Sequence, residues 1–140
     1  MANKILTVLS VVVFSLVFAG CTKRVENKQD AESKYIAYYF HPTARCESCL
    51  NLESFLKEMI EKKYSAQGFE FKEINIEDKE NQHYRRDYEL KFSSVIISKI
   101  ESGKETKWKN LDSVWSYTDN KELFFIYSER EIDGFINNIK

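Results

Sequence analysis

Cys46 and Cys49 enclose Glu47 and Ser48 at the head of the stretch HPTARCESCLNLESFLKEMI, residues 41–60. Two thiols at that spacing suit one of three chemistries: a covalent staple, half of a metal site, or a redox-active dithiol. As a staple the pair is poorly placed. Closing so short a loop restricts the unfolded chain by only about 2 kcal/mol, against about 3 kcal/mol for a fifteen-residue loop. As a metal site, His41, Cys46, Cys49 and His83 would offer two nitrogens and two sulfurs to zinc, but only the cysteine pair has zinc-like spacing. The plain reading of the histidines is a loop-lining residue for His41 and a surface residue for His83. As a dithiol at the start of a helix, the pair has a built-in asymmetry. Unpartnered N–H groups and the positive end of the helix dipole favour a thiolate at Cys46, and Arg45 adds a nearby cation. Cys49 shares its helix face with Leu52 and Leu56, so it is expected to be buried and placed to attack a mixed disulfide made by Cys46.

Such a site needs a strand to deliver the loop and a helix to receive it. Tyr35–Phe40, YIAYYF, is a continuous apolar run of the kind that fills a strand buried on both faces. Apolar residues then recur at Cys49, Leu52, Phe55, Leu56, Met59 and Ile60, the spacing of an amphipathic helix that frays around Lys63. Phe69–Ile76 reads as a half-buried strand, and the polar stretch Asn81–Leu90 as a short helix. Ser94–Ile100 is a β-branched strand, ESGK a turn, and the segment through Leu111 its hairpin partner. Asp119 and Glu122 look like a capping box opening a last helix, with Phe125, Ile132, Phe135, Ile136 and Ile139 as its buried stripe. Strand, helix, strand, helix, strand, strand, helix is an α/β order. It calls for a parallel pair with a right-handed crossover, plus an antiparallel hairpin, in a mixed sheet of about four strands flanked by helices.

The N-terminus bears on the compartment. Within residues 1–20 the only charge is Lys4, and the apolar run Ile5–Ala19 ends in small residues before Cys21, which is export-signal architecture. Phe18-Ala19-Gly20-Cys21 resembles the lipobox of bacterial lipoproteins, apart from Phe18 where leucine is usual. That resemblance implies a diacylglyceryl group on Cys21, and two acyl chains anchor a domain stably to a bilayer. The competing reading is an ordinary secretory signal with an incidental cysteine. If Cys21 carries lipid, Cys46 and Cys49 are the remaining thiols and none is left odd in an oxidising compartment. Residues 22–33, TKRVENKQDAES, read as a flexible tether. The expected organisation is a signal peptide over 1–20, a lipidated N-terminus and tether over 21–33, and one domain over 34–140. The whole chain has 21 basic and 22 acidic side chains. Loss of the signal removes Lys4 alone, for a net charge of −2 with no nucleic-acid footprint.

The strand YIAYYF, the short loop, the C-x-x-C opening a helix and the later DYELKFSSVIISKIESGKE together resemble the thioredoxin superfamily, over Lys34–Lys140. The resemblance implies a thioredoxin-like fold, Cys46 as the attacking cysteine, Cys49 as the resolving one, and no cofactor beyond them. Three features depart from the family pattern. Glu47-Ser48 is neither the Gly-Pro of thioredoxin nor the Pro-His of strong oxidants, so redox direction does not carry over. The family's cis-proline aligns with Ser94, and the one proline of the chain is Pro42. A cis peptide at Ser94 would cost about 2.5–4 kcal/mol, so a trans bond is expected there, with the serine within reach of the cysteines. The family's buried acid aligns with Phe40, which leaves His41 and Glu47 as candidate bases.

The expected function is a membrane-tethered, extracytoplasmic thiol-disulfide oxidoreductase. Its partners would be protein thiols or disulfides and a membrane electron-donor protein, with lipid on Cys21 holding it to a bacterial membrane. The competing function is a non-catalytic module whose dithiol coordinates a metal or metalloid as an accessory to a transporter. The aromatic residues Trp108, Trp115, Tyr117, Phe124, Phe125 and Tyr127 read as core or as a docking face, and Arg85-Arg86 and Glu129-Arg130-Glu131 as solvated helix faces.

Overall fold

The computed structural model describes residues 34–137. The expected signal segment, Cys21 with its tether, and residues 138–140 lie outside the described residues.

Lys34–His41 form β1, the inner strand whose two faces explain its unbroken apolar sequence. Ala37 and Tyr39 point to one face and Ile36, Tyr38 and Phe40 to the other, each set inside its own buried cluster. Pro42 ends the strand, because it has no N–H to continue the ladder. Glu47–Met59 form α1, which lays the fully buried Leu52, Leu56 and Met59 against the Tyr39 face. Each such side chain contributes about 1.5–3 kcal/mol. The helix does not fray at Lys63. It continues as a π turn over Ile60–Tyr64, because Ile60 and Tyr64 are both buried and the Tyr64 hydroxyl donates to Asp133 Oδ1 at 2.9 Å.

Phe69–Asn75 form β2, parallel to β1 with Tyr39 opposite Glu73. The polar stretch that follows is a 3-10 turn over Lys79–Asn81 and a short helix α2, His83–Asp87. It covers the second face of the sheet through its tyrosines: Tyr84 and Tyr88 pack on Tyr38 and Phe40 with ring centroids 5.1–6.1 Å apart. Ser94–Glu101 form β3 and Lys104–Asn110 form β4, joined by Ser102 and Gly103, both at positive φ (52° and 77°). Two such residues in succession match the twist of a two-residue hairpin.

The last helix, α3, spans Lys121–Ile136. Its cap corrects the sequence expectation: the side chain of Asn120, not of Asp119, accepts from the Leu123 N–H at 3.0 Å. Because the helix begins one residue later, Leu123 takes the third position and no reciprocal box with Glu122 forms. The buried stripe is Phe124, Tyr127, Ile132 and Phe135. Phe125 and Ile136 are half-buried at its margin, and Ile139 lies outside the described residues.

The sheet order is β2-β1-β3-β4, with β1 parallel to β2 and antiparallel to β3, and β3 antiparallel to β4. Helices α1 and α3 lie on one face and α2 on the other, which is the thioredoxin-like mixed sheet. Among the described residues, no helix is long and apolar enough to cross a membrane.

Candidate active site

The chain leaves the end of β1, turns through residues 42–45 and enters α1 with Cys46 as its N-cap, in extended conformation (φ −97°, ψ 166°). The Cys49 N–H donates to Cys46 Sγ at 3.2 Å, so sulfur fills the place that a hydroxyl or carboxylate takes in an ordinary cap. Cys46 and Cys49 are joined as a disulfide with Cα atoms 5.0 Å apart. Cys46 is exposed, whereas Cys49 is buried at 7%. An incoming thiolate therefore meets the Cys46 sulfur first.

Tyr39 fixes the seat of Cys49. Its hydroxyl donates to the Cys49 carbonyl oxygen at 2.8 Å inside the core. Burial pushes the Tyr39 phenol up, with Arg45 opposing, so it stays a neutral donor through the ordinary pH range.

The loop is tied to β2 and α1 by charged groups. His41 is buried, with Nε2 2.9 Å from Glu73 Oε1 and Nδ1 2.8 Å from the Pro42 carbonyl oxygen. Its ring stacks on Tyr39 at 5.7 Å. Arg45 Nη1 donates to Glu73 Oε1 at 3.0 Å and Nη2 to Glu53 Oε2, while the guanidinium lies 5.5 Å from the Tyr39 ring centroid. Burial disfavours the charge of Arg45, but Glu53 and then Glu73 more than offset this, and its pKa is raised. Thr43 N–H donates to Glu77 Oε2 at 3.0 Å, and Asn75 Nδ2 donates to Thr43 Oγ1 at 3.1 Å.

No protein-family model matches the chain, and no curated protein matches it. Among the solved structures similar to it are two at 14% identity. One is a malarial protein, overlapping 55% of this chain and 80% of its own with a TM-score of 0.39. The other is the thioredoxin of Fasciola hepatica, overlapping 69% of this chain and 80% of its own with a TM-score of 0.41. The thioredoxin-like description accordingly rests on this chain's own sheet and on the position of its C-x-x-C at the head of the helix that follows the inner strand.

Of the residues singled out in the sequence, Cys46 and Cys49 are bonded to each other, and Arg45 and His41 converge on one carboxylate, Glu73. Glu47 is exposed in the first turn of α1, where its charge complements the helix dipole. Ser94 is buried and stands opposite Phe40 in the β1–β3 pairing. No peptide bond among the described residues is cis, so the bond at Ser94 is trans. Its hydroxyl donates to the Phe92 carbonyl oxygen at 3.0 Å, and it lines a cleft of about 390 Å³ with Tyr88, Phe92 and Trp108. His83 is exposed, its Nδ1 2.9 Å from the Glu80 carbonyl oxygen. The zinc set of His41, Cys46, Cys49 and His83 is not gathered: among the described residues, no group of three or more His, Cys, Asp or Glu side chains is arranged to hold a metal ion.

Four residues escaped the sequence reading. Glu53 and Glu73 hold Arg45, Tyr39 holds Cys49, and the buried Ser93 accepts from Trp115 Nε1 through its carbonyl at 3.2 Å and lowers the Tyr39 phenol against the effect of burial. Glu53 lies eight residues after Arg45 on the expected helix and had a local signal; Glu73 needed the strand register.

Proposed function

We propose that the chain is a thiol-disulfide oxidoreductase, tethered through lipid on Cys21 to the outer side of a bacterial membrane and exchanging disulfides with protein thiols. The observation that carries this reading is the exposed Cys46 bonded to the buried Cys49 at the N-terminus of α1. In the reduced protein Cys46 acts as nucleophile and Cys49 resolves the mixed disulfide, because Cys46 is exposed and Cys49 is buried. Ser94, whose strand pairs with the end of β1, would form the rim on which an extended substrate segment lies. The tether over residues 21–33 and the lipid come from the sequence pattern alone.

The test is trapping with Cys49→Ser in the cells that express the protein. A covalent adduct through Cys46 that dithiothreitol releases is expected, and its partner names the substrate. A folded, abundant variant that never forms an adduct argues against exchange. Membrane attachment is tested separately: Cys21→Ser should leave the protein unlipidated and released from the membrane fraction.

A further inference from the structure

We infer that Glu53 and Glu73 act as positioning residues that set the direction of exchange, by engaging the Arg45 guanidinium so that its charge does not serve Cys46 and the couple is held on the reducing side. This rests on the exchange reading above and deepens it.

Arg45 immediately precedes the attacking cysteine and is the natural counter-cation for a Cys46 thiolate. It is instead paired twice. Glu73 on β2 takes Nη1 and Glu53 on α1 takes Nη2, and the Arg45 and Glu53 side chains are only 19% and 23% exposed. The Arg45–Glu53 pair, so sheltered, is screened less than a surface pair, while Glu73 is 43% exposed. The other charged groups facing the loop do not restore a positive field. Glu47 lies in the first turn of α1, Glu77 accepts from the Thr43 N–H with Arg85 acting on it, and His41 faces Glu73. Whichever form His41 takes, carboxylates outnumber cations around this loop.

Negative surroundings disfavour the Cys46 thiolate and so the reduced form, and a couple whose reduced form is not stabilised is a reductant. The α1 N-terminus pushes the other way, but it is common to oxidants and reductants alike, so the local charges decide. The Cys46 thiolate attacks a partner disulfide. One partner sulfur leaves and takes a proton, while a Cys46 mixed disulfide forms. Cys49 then gives up its proton and attacks Cys46 Sγ, expelling the second partner sulfur as a thiol. Two electrons have passed to the partner, and the Cys46–Cys49 disulfide remains. A dithiol protein on the same side of the membrane restores the reduced pair by the reverse exchange.

The test equilibrates the full chain in detergent with glutathione buffers and, separately, titrates the Cys46 thiol by its alkylation rate. Glu53→Gln and Glu73→Gln should each shift the equilibrium about threefold toward the reduced protein, and the double variant about tenfold, or about 30 mV for this two-electron couple. Both should lower the Cys46 thiol pKa. Arg45→Gln, which leaves the carboxylates uncompensated, should shift both quantities the opposite way. Glu58→Gln removes a carboxylate that pairs with Lys62 and Lys121 elsewhere on α1, and should change neither. Folded glutamine variants with unmoved potential and thiol pKa would overturn the inference, as would an Arg45→Gln shift in the same direction as theirs. Should Glu53→Gln fail to fold, Glu73→Gln on the edge strand and Arg45→Gln still decide. A wild-type pair that never equilibrates with glutathione would sink the exchange reading itself, which is a different result from unshifted variants.

Discussion

The Tyr39 hydroxyl donates to the carbonyl oxygen of Cys49 at 2.8 Å, linking the inner strand to the first turn of the helix that carries the disulfide. Tyr39 is fully buried. Tyr39→Phe keeps the ring and strands the buried Cys49 carbonyl oxygen, so it should lower stability by about 1–3 kcal/mol in denaturant unfolding. It should also speed alkylation of Cys49 in the reduced protein, because the first turn of α1 loses its tie to the sheet. Unchanged stability and unchanged labelling would mean that the bond contributes nothing.

Brief alkylation of the reduced protein should label Cys46 before Cys49. Cys46 is exposed at the helix start, and Cys49 is 7% exposed among apolar neighbours. Peptide mapping reads the order, and dominant labelling of Cys49 would reverse the two roles.

The strands, α1 and the cysteine pair were legible in the sequence because each rests on a local pattern. YIAYYF fills two buried faces, and Cys49, Leu52 and Leu56 recur at helical spacing. What escaped depends on distant residues. The π turn exists because Tyr64 reaches Asp133, 69 residues on. Asn81–Leu90 read as polar, yet Tyr84 and Tyr88 are what cover the second face of the sheet. Arg45 reads as a cation near Cys46, and register adds that Glu73 stands opposite Tyr39, within reach of both His41 and Arg45. Ser94 enters through a proline alignment, and its hydroxyl turns to the Phe92 carbonyl, while Ser93, its neighbour, takes the Trp115 indole N–H on its carbonyl. Sequence fixes which residues share a face; register decides which charges meet.

A pair of leucines separates the two faces of α1. Leu56 is fully buried between the sheet and α3, so Leu56→Ala should cost about 3 kcal/mol through lost transfer energy and the cavity left behind. Leu50 is 52% exposed, and Leu50→Ala should fall within about 0.5 kcal/mol of wild type. Denaturation midpoints at unchanged slope report both, and a cost for Leu50 matching that of Leu56 would contradict the orientation of the helix.

Acid should loosen the active-site loop through Glu77. The Thr43 hydroxyl and the Thr43 N–H hold the Glu77 carboxyl below its ordinary value of 4.5, with Arg85 assisting and a slight burial opposing. Because the folded value is depressed, this contribution is complete above the ordinary carboxylate range and is lost as pH falls through the lowered value. Glu70, Glu101 and Glu131 are depressed in the same direction by Lys34, Lys99 and Lys109, so stability as a whole declines in acid and the trend of wild type alone does not isolate the loop. The difference between wild type and Glu77→Gln does. Asn75 keeps its bond to Thr43 in the variant, so the substitution removes the carboxylate contact and leaves the rest of the anchor. The two proteins should differ in unfolding midpoint at about pH 6 and converge as pH falls through the lowered Glu77 value. The loop delivers Cys46 to α1, so alkylation of Cys46 at about pH 6 should also differ between them once its own thiolate titration is divided out. A gap in midpoint that persists undiminished into acid would show that Glu77 acts through packing and not through its charge.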